Sequence, residues 1–289
     1  MEFNGDGCID ILSGSYSRQD QDMAGLFQVL WGNKDGTFRK PEVLKGTDGE
    51  PLIIQVGDGD DAMIEKICTR PTLVDLNGDG KLDIVSGNFR GTFAFFAGEG
   101  DGKFAPKSTW LQLADKPLSV SMHSDPFFVD WDADGDLDLL SGTAEGGVFL
   151  FENVGSAKAP KFIPPQTLLA AAGHGDAGED EKFGDAHLVG PQSGTRIWVA
   201  DVNGDGKLDL LVGDQVTLHH LADGVDAATA KAQLAKWREK QKKLFESQAA
   251  NQTDEQQEQF QKAYEALEEE RTKLVRDEMT GFVWLLLQK

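Results

Sequence analysis

The chain has few cysteines and no long apolar run. Its 289 residues include two cysteines, Cys8 and Cys68, which are too few for a disulfide framework or a zinc cluster. Cys8 lies inside an acidic loop and Cys68 near the opposite end of a neighbouring strand, so two free thiols are favoured over a bond between them. No apolar run approaches ~18 residues, the length that a membrane-spanning helix requires.

Positive charge is also scarce. The sequence has 28 lysines and arginines against 49 aspartates and glutamates, a formal charge of −21. A surface of this sign repels phosphates, so nucleic acid is not an expected partner. The negative charge is partly concentrated in short repeated loops, which suggests that cations bind there.

Four copies of one nine-residue loop occupy residues 2–10, 75–83, 130–138 and 201–209. Positions 1, 3, 5 and 9 of each copy carry side-chain oxygens, and position 6 is glycine. Calcium takes six to eight oxygen ligands, and the glycine permits the sharp turn that brings them together. The loops therefore predict up to four Ca²⁺ sites, with position 7 contributing only its backbone carbonyl. The expected ligand residues are Glu2, Asn4, Asp6, Cys8 and Asp10; Asp75, Asn77, Asp79, Lys81 and Asp83; Asp130, Asp132, Asp134, Asp136 and Asp138; and Asp201, Asn203, Asp205, Lys207 and Asp209.

Two other interpretations of the loops, an EF-hand and a plain β-turn, fit the sequence less well. An EF-hand needs a glutamate at position 12 and flanking helices, whereas position 12 here is serine or valine and the flanks are short apolar runs typical of strands. A plain β-turn explains one such loop, but not four with their oxygens in register. Glu2 departs from the aspartate at position 1 of the other loops, so the first site is expected to be distorted or partly filled.

Each loop begins a longer unit of short alternating strands separated by glycine turns. This pattern is typical of propeller blades. We expect an all-β fold, a β-propeller of four-stranded blades. Four blades is the simplest count, and five is the alternative. The first loop lacks the apolar strand that precedes the other three, so we expect that the sequence begins inside a repeat and that a signal peptide would lie upstream of it.

A segment of different composition interrupts the fourth unit. Its helical periodicity and capping residues predict an antiparallel α-helical hairpin of residues 227–249 and 254–278. The predicted organisation is thus propeller blades at 1–223, a hairpin insertion at 224–279 and a final propeller strand at 280–289.

The repeated Asp-x-Asn-x-Asp-Gly-x-x-Asp core resembles the FG-GAP/VCBS-type repeat family, the calcium-loop β-propellers also seen in integrin α-subunits. The resemblance covers residues 2–220 and 281–289. It implies metal loops on one face, export, and adhesion to proteins or carbohydrates, while some members degrade polysaccharides. Fold alone does not select among these uses.

No catalytic constellation is evident in the sequence. The run His123-Ser124-Asp125 consists of sequence neighbours, which do not assemble a triad, and His219-His220 is interpreted as structural. Arg70, Arg90 and Arg196 could bind an anionic sugar, although salt bridges between blades are favoured. Trp131 is either a cover for its loop or a sugar platform.

We therefore expect an exported module, periplasmic, cell-surface or extracellular, that binds an unknown protein or carbohydrate and contacts a partner through its hairpin. The alternative is a carbohydrate-active enzyme, a polysaccharide lyase or hydrolase, with its site in the central funnel.

Overall fold

The computed structural model describes residues 2–16, 25–55, 64–171, 182–248 and 253–289. The chain divides into two compact units. The propeller unit comprises Met1–Gly173, Pro191–Asp214 and Phe282–Lys289, and the hairpin unit comprises His174–Gly190 and Gln215–Gly281. No helix in the described ranges has the length and apolar character needed to cross a membrane.

Four antiparallel sheets give the four-blade propeller arrangement that the repeats predicted. Blade 1 has three strands, β1 (Ile11–Ser13), β2 (Gln28–Leu30) and β3 (Glu42–Val43). Blade 2 contains β4 (Arg70–Val74), β5 (Asp83–Gly87), β6 (Phe93–Phe96) and β9 (Thr109–Trp110), with two small hairpins formed by β7 (Gly98–Gly100), β8 (Lys103–Phe104), β10 (Gln112–Leu113) and β11 (Lys116–Pro117). Blade 3 contains β12 (Asp125–Val129), β13 (Asp138–Gly142), β14 (Val148–Phe151) and β15 (Gln166–Leu169).

Blade 4 is built from β16 (Ser193–Ala200), the long strand β17 (Asp209–Leu221) and β19 (Val283–Leu286). The first part of β17 pairs with β19, Leu210 opposite Leu286 and Gly213 opposite Val283. The strand β19, near the end of the sequence, thus pairs with β17 of the fourth blade.

Apolar side chains that alternate along the strands are buried between consecutive blades. Phe93 of blade 2 and Phe151 of blade 3 are both fully buried, and their ring centroids lie 6.2 Å apart at a steep angle. Phe95 and Phe149 are partly buried and pack against the same cluster. The hydrophobic core of the propeller unit is consequently a series of layers between sheets.

Buried hydroxyl groups also join consecutive blades. Thr69 and Ser124 lie directly before the first strand of their blade, and Thr195 lies within it. Each accepts a backbone N–H from the preceding blade: Thr69 from Ser15 at 2.7 Å, Ser124 from Asn88 at 3.0 Å and Thr195 from Thr143 at 2.9 Å. The glycine before each donor must lack a side chain, because a Cβ at Gly14, Gly87 or Gly142 would lie within 2.3 Å of the opposing backbone oxygen. We call Thr69, Ser124 and Thr195 the inter-blade hydroxyls.

The hairpin unit contains helix α1 (Ala227–Glu246) and helix α2 (Asp254–Thr272). Asp226 caps α1, and Thr253 with Gln256 forms a capping box at α2, as their sequence signatures indicated. Trp237 of α1 is buried and donates its Nε1–H to the Leu267 carbonyl of α2 at 2.7 Å.

The predicted second helix, 254–278, was too long at its C-terminal end. The helix ends at Thr272, and β18 (Val275–Thr280) follows it. The reason is that β17 continues to Leu221, so its backbone groups require a partner, and β18 pairs with it from Val216–Thr280 to Leu221–Val275. The first helix also ends before the predicted residue 249: α1 stops at Glu246 and Ser247 is its C-cap, while residue 249 itself lies outside the described residues.

Candidate metal centre

The four acidic loops share one hydrogen-bond pattern around the backbone N–H of position 5. The carboxylate at position 1, from Glu2, Asp75, Asp130 or Asp201, accepts this N–H at 3.1 Å in every loop. The side-chain oxygen at position 3 accepts the same N–H at 2.8–3.2 Å. The carboxylate at position 5 accepts the N–H of position 7 at 2.8–3.0 Å. The oxygens at positions 1 and 3 therefore converge on one side of each loop.

Two positions of each loop, 4 and 6, adopt positive φ angles. Glycine occupies both positions in three loops, whereas Ala133 holds position 4 of the third loop at φ 63°. This conformation is costly for residues with a side chain, so a specific loop shape is being maintained in spite of the alanine. Sequence reasoning recognised the glycine at position 6 and overlooked the same requirement at position 4.

Glu2 reproduces only part of the hydrogen bonding of the shorter aspartates. Asp75, Asp130 and Asp201 each also accept the N–H of position 6 with their second oxygen, at 2.9–3.1 Å, a bond that Glu2 does not form with Gly7. Its Oε1 accepts the N–H groups of Gly5 at 2.5 Å and Asp6 at 3.1 Å. Asp201 Oδ1 makes the corresponding bonds to Gly204 at 2.7 Å and Asp205 at 3.1 Å. The additional methylene therefore leaves the first loop with the same hydrogen bonds as the fourth at these two positions.

The aspartate at position 9 has a role that the sequence did not reveal. Asp10, Asp83, Asp138 and Asp209 are all buried. One oxygen of each accepts the N–H of position 2 at 2.9–3.0 Å. The other accepts an N–H from further along the blade, from Gly32, Gly98, Asn153 or Gln288, at 2.7–3.0 Å. This carboxylate therefore ties the loop to its own sheet, in addition to its predicted contact with a cation.

The third loop has the highest density of carboxylates. Oxygens of Asp130, Asp132 and Asp138 lie within 4.8 Å of one another. Asp136 is only 8% exposed, and its Oδ1 is buried without a hydrogen-bond partner. Burial raises the pKa of Asp136, as do the surrounding charges of Asp134, Asp138 and the other loop carboxylates.

These residues fit a divalent cation. An unpaired carboxylate oxygen beside several other carboxylates is unfavourable by itself, and a bound cation would offset that repulsion. All the donors are oxygens, as a hard ion such as Ca²⁺ prefers. The Asp136 side chain at position 7 of this loop is buried, whereas Lys81 at the same position of the second loop is exposed.

Residues on or just before the first strands of blades 2, 3 and 4 form a second group, which we call the axial cluster: Arg70, His123, Asp125 and Arg196. The Arg70 guanidinium donates to the His123 carbonyl at 2.6 Å and lies 3.0 Å from the His123 Nδ1. Arg196 Nε lies 3.8 Å from Asp125 Oδ2. Residues from blades 2, 3 and 4 are thus brought together at one place.

The axial cluster is electrostatically unusual. Burial, together with the neighbouring Arg196 charge, lowers the pKa of Arg70 to about 10. Burial raises the pKa of Asp125, although Arg196 and Arg70 oppose that shift. Burial, Arg70 and Arg196 all lower the pKa of His123. The group therefore holds an excess of positive charge in a partly desolvated place.

The structure excludes a triad from His123-Ser124-Asp125. The Ser124 hydroxyl is buried and donates to the Thr92 carbonyl at 2.7 Å, so it serves as an inter-blade hydroxyl. Arg90 is exposed in the turn after β5 and lies outside the axial cluster.

Three further candidates have structural partners. His219 lies 2.7 Å from Asp277, and His220 lies 2.8 Å from Glu278, each across the β17–β18 pair. Trp131 packs against the core between blades 3 and 4, which favours a structural role in covering its loop over a role in binding a sugar. Cys8 and Cys68 are buried free thiols, as expected.

Comparison with known proteins agrees with the repeat analysis. The FG-GAP-like repeat matches residues 75–141 and 130–212, and both matches begin at position 1 of an acidic loop. No curated protein matches the chain. The Tc holotoxin pore of Photorhabdus luminescens is 16% identical with a TM-score of 0.36, and the alignment covers 66% of this chain and 7% of that one. The chain therefore spans a small fraction of that protein, and the likeness carries no argument about function. The repeated loops, the blades that follow them and the two matches place residues 75–212 in the FG-GAP-like repeat family.

Proposed function

We propose that this chain is an exported, calcium-stabilised β-propeller that binds a protein or glycan without catalysing a reaction. The observation that carries the proposal is the repetition of one oxygen arrangement in four loops, with side-chain acceptors at positions 1, 3 and 5 gathered around two backbone N–H groups. In the third loop, the Oδ1 of Asp136 is buried without a hydrogen-bond partner, which supports a cation as its partner there.

The proposed calcium ligands are the side chains at positions 1, 3, 5 and 9 of each loop and the carbonyl of position 7. Each carboxylate oxygen that accepts one N–H keeps a second lone pair for a cation. Loops of this kind bind with modest affinity where calcium is millimolar, which supports export as the setting in which the sites fill.

Chelation tests the metal proposal directly. A site at ten times its dissociation constant contributes about 1.4 kcal/mol to the free energy of unfolding, so four sites contribute roughly 5–6 kcal/mol. We expect EGTA to lower the melting temperature markedly and added Ca²⁺, rather than Mg²⁺, to restore it. Equilibrium dialysis with metal analysis should find up to four Ca²⁺ per chain. A melt that EGTA leaves unchanged, with metal content near zero, would overturn the proposal.

The axial cluster is the place that we propose for a ligand. Two arginines and one aspartate leave an excess of positive charge, which suits a carboxylate or sulfate group of a glycan or an acidic side chain of a protein. A glycan array, probed with and without EGTA, tests this with wild type and with Arg196→Gln. Loss of binding to acidic glycans in the variant, at an unchanged melting temperature, is the expected result. Equal binding of both proteins would place the ligand elsewhere.

A carbohydrate-active enzyme is the second candidate, because one carboxylate, Asp125, lies beside an arginine in that same cluster. The two candidates differ in what Asp125→Asn does. An enzyme that uses this carboxylate loses its turnover of acidic polysaccharides, whereas a binding module shows no turnover in either form. Release of reducing ends from a polysaccharide panel, measured for both proteins, decides between them.

A further inference from the structure

All three Asn-Gly pairs of the sequence lie at positions 3 and 4 of acidic loops: Asn4-Gly5, Asn77-Gly78 and Asn203-Gly204. Asparagine followed by glycine is prone to deamidation, because glycine has no side chain to shield its backbone nitrogen and lets the chain bend toward the asparagine side chain. Each pair is followed by Asp-Gly, so the local sequence does not distinguish the three sites. A difference between them in the native protein comes from the hydrogen bonds that each loop makes.

Deamidation requires the glycine nitrogen to lose its proton and to reach the asparagine Cγ. The new N–Cγ bond closes a succinimide ring, the Cγ–Nδ2 bond breaks, and ammonia leaves with the proton. Water then opens the ring at either carbonyl and gives aspartate or isoaspartate. A carboxylate that accepts the glycine N–H opposes the first step, because it holds the proton and disfavours negative charge on the nitrogen.

The backbone N–H of the glycine is held in the first and fourth loops. Gly5 donates to Glu2 at 2.5 Å, and Gly204 donates to Asp201 at 2.7 Å. In the second loop, the carboxylate at position 1 accepts only the N–H groups of positions 5 and 6. Within the ranges that the structure describes, the Gly78 N–H has no hydrogen-bond acceptor. The attacking nitrogen of the second loop is thus not held by a carboxylate.

The leaving amide differs between the loops in the same way. Asn4 Nδ2 donates to Asp6 at 3.3 Å, and Asn203 Nδ2 donates to Asp205 at 3.1 Å. Asn77 Nδ2 has no acceptor in the described part of the chain, and only its Oδ1 is bonded, to the N–H of position 5 at 3.0 Å. Departure of ammonia therefore breaks no hydrogen bond of the amide nitrogen at Asn77.

We propose that Asn77 is the residue of this chain that deamidates most readily in the native protein, and that its isoaspartate product weakens the contact between blades 2 and 3. Isoaspartate lengthens the main chain by one methylene directly before Gly78. A Cβ on Gly78 would lie 2.9 Å from the carbonyl oxygen of Ala157, in the turn between β14 and β15 of blade 3, so this glycine has little room to move. No atom lies within 4 Å of the same place at Gly5 or Gly204.

The aspartate product is harmless by comparison. Asp132 occupies position 3 of the third loop and accepts the N–H of position 5 at 3.2 Å, as the asparagines do in the other loops. An aspartate at residue 77 keeps both the oxygen and the length of the main chain. The loss is therefore assigned to isoaspartate alone.

Peptide mapping of aged protein tests the order of the three sites. Incubation in EGTA at mildly alkaline pH removes any dependence on a bound cation, and trypsin then separates the three asparagines into residues 1–18, 67–81 and 197–207. We expect Asn77 to deamidate about tenfold faster than Asn4 and Asn203, because a hydrogen bond to a carboxylate must break at each of the other glycines. In concentrated urea the three rates should become similar, since these hydrogen bonds are lost.

A native protein in which Asn4 or Asn203 deamidates as fast as Asn77 would overturn the proposal. The same order of rates in urea would also overturn it, because the difference would then lie in the sequence and not in the fold.

The consequence for the blades has its own control, Asn77→Asp. Aspartate cyclises far more slowly than asparagine at this pH, so the variant accumulates little isoaspartate at residue 77. The melting temperature of wild type should fall as isoaspartate at residue 77 accumulates, measured by enzymatic methylation and fragmentation of peptide 67–81. Asn77→Asp, aged in the same way, should keep its own starting melting temperature. An equal fall in both proteins contradicts the effect assigned to isoaspartate.

Discussion

The buried aspartate at position 9 gives the sharpest prediction about the loops. Asp138 accepts the N–H of Trp131 at 2.9 Å and that of Asn153 at 2.8 Å, with one carboxylate oxygen each. Asp138→Asn replaces one of these oxygens with an NH₂ group, so one backbone N–H meets a donor instead of an acceptor. The loop is then held to its sheet by a single bond.

The cost can be worked from these contacts. A hydrogen bond to a charged acceptor contributes about 1.5–3 kcal/mol, and a buried N–H left without a partner costs about 1–3 kcal/mol. Loss of the Asp138 charge offsets part of this, because that charge contributes to the raised pKa of Asp136. A net loss of about 3 kcal/mol in the free energy of unfolding follows, or roughly 6–12 °C in melting temperature for a unit of this size.

Urea unfolding in EGTA and in Ca²⁺, followed by tryptophan fluorescence, measures the effect. Because the two hydrogen bonds do not depend on a metal, the loss should appear in both conditions. Asp132→Asn is the matched control: it removes a charge from the same loop, but Asn4, Asn77 and Asn203 hold that position in the other loops. In EGTA it should change the free energy of unfolding by less than about 0.5 kcal/mol. Equal effects of the two substitutions in EGTA would refute the separate role of position 9.

Three further substitutions test other parts of the structure. Thr195→Val removes the oxygen that accepts the Thr143 N–H between blades 3 and 4, and should cost about 1–3 kcal/mol in urea unfolding, whereas Thr195→Ser should restore most of it. Trp237→Phe removes the indole donor to the Leu267 carbonyl and should lower the stability of the hairpin unit by about 1–2 kcal/mol, detected as faster hydrogen exchange in α1 and α2. Replacing residues 222–274 with Asn-Gly joins the β17–β18 pair through a two-residue turn; calcium binding and the propeller unit should persist, and a loss of propeller folding would assign the helices a part in its core.

The acidic loops were predictable because their chemistry is local. Positions 1, 3 and 5 are close in sequence, so their spacing alone indicates that their oxygens meet over one turn. The second role of position 9 was not predictable, since the partner of Asp209 is the N–H of Gln288, 79 residues away. The inter-blade hydroxyls were missed for the same reason: Ser15 and Thr69 are 54 residues apart, and a lone threonine before a strand carries no distinctive pattern.

The error at the end of α2 has a similar origin. Leu267 and Leu274 are seven residues apart, which satisfies helical periodicity, and both are buried. Periodicity cannot indicate that the chain leaves the helix before Leu274, because that depends on a strand partner supplied by the continuation of β17. Tertiary pairing overrode a local pattern that was otherwise correct.

The two roles of position 9 suggest how a cation would act on the propeller. In the second repeat, the side-chain oxygens at positions 1, 3 and 5 accept hydrogen bonds from N–H groups of their own loop, so these bonds organise the loop without attaching it to the sheet. Position 9 touches both the loop and the sheet, through Asp83 to Leu76 and to Gly98 in the second repeat. A cation held by all four positions would therefore bind more tightly to a formed blade than to a detached loop, and by linkage it would stabilise the blade by the same free energy. The buried aspartate, rather than the exposed ligands, is therefore the residue through which the proposed calcium binding would be coupled to blade folding.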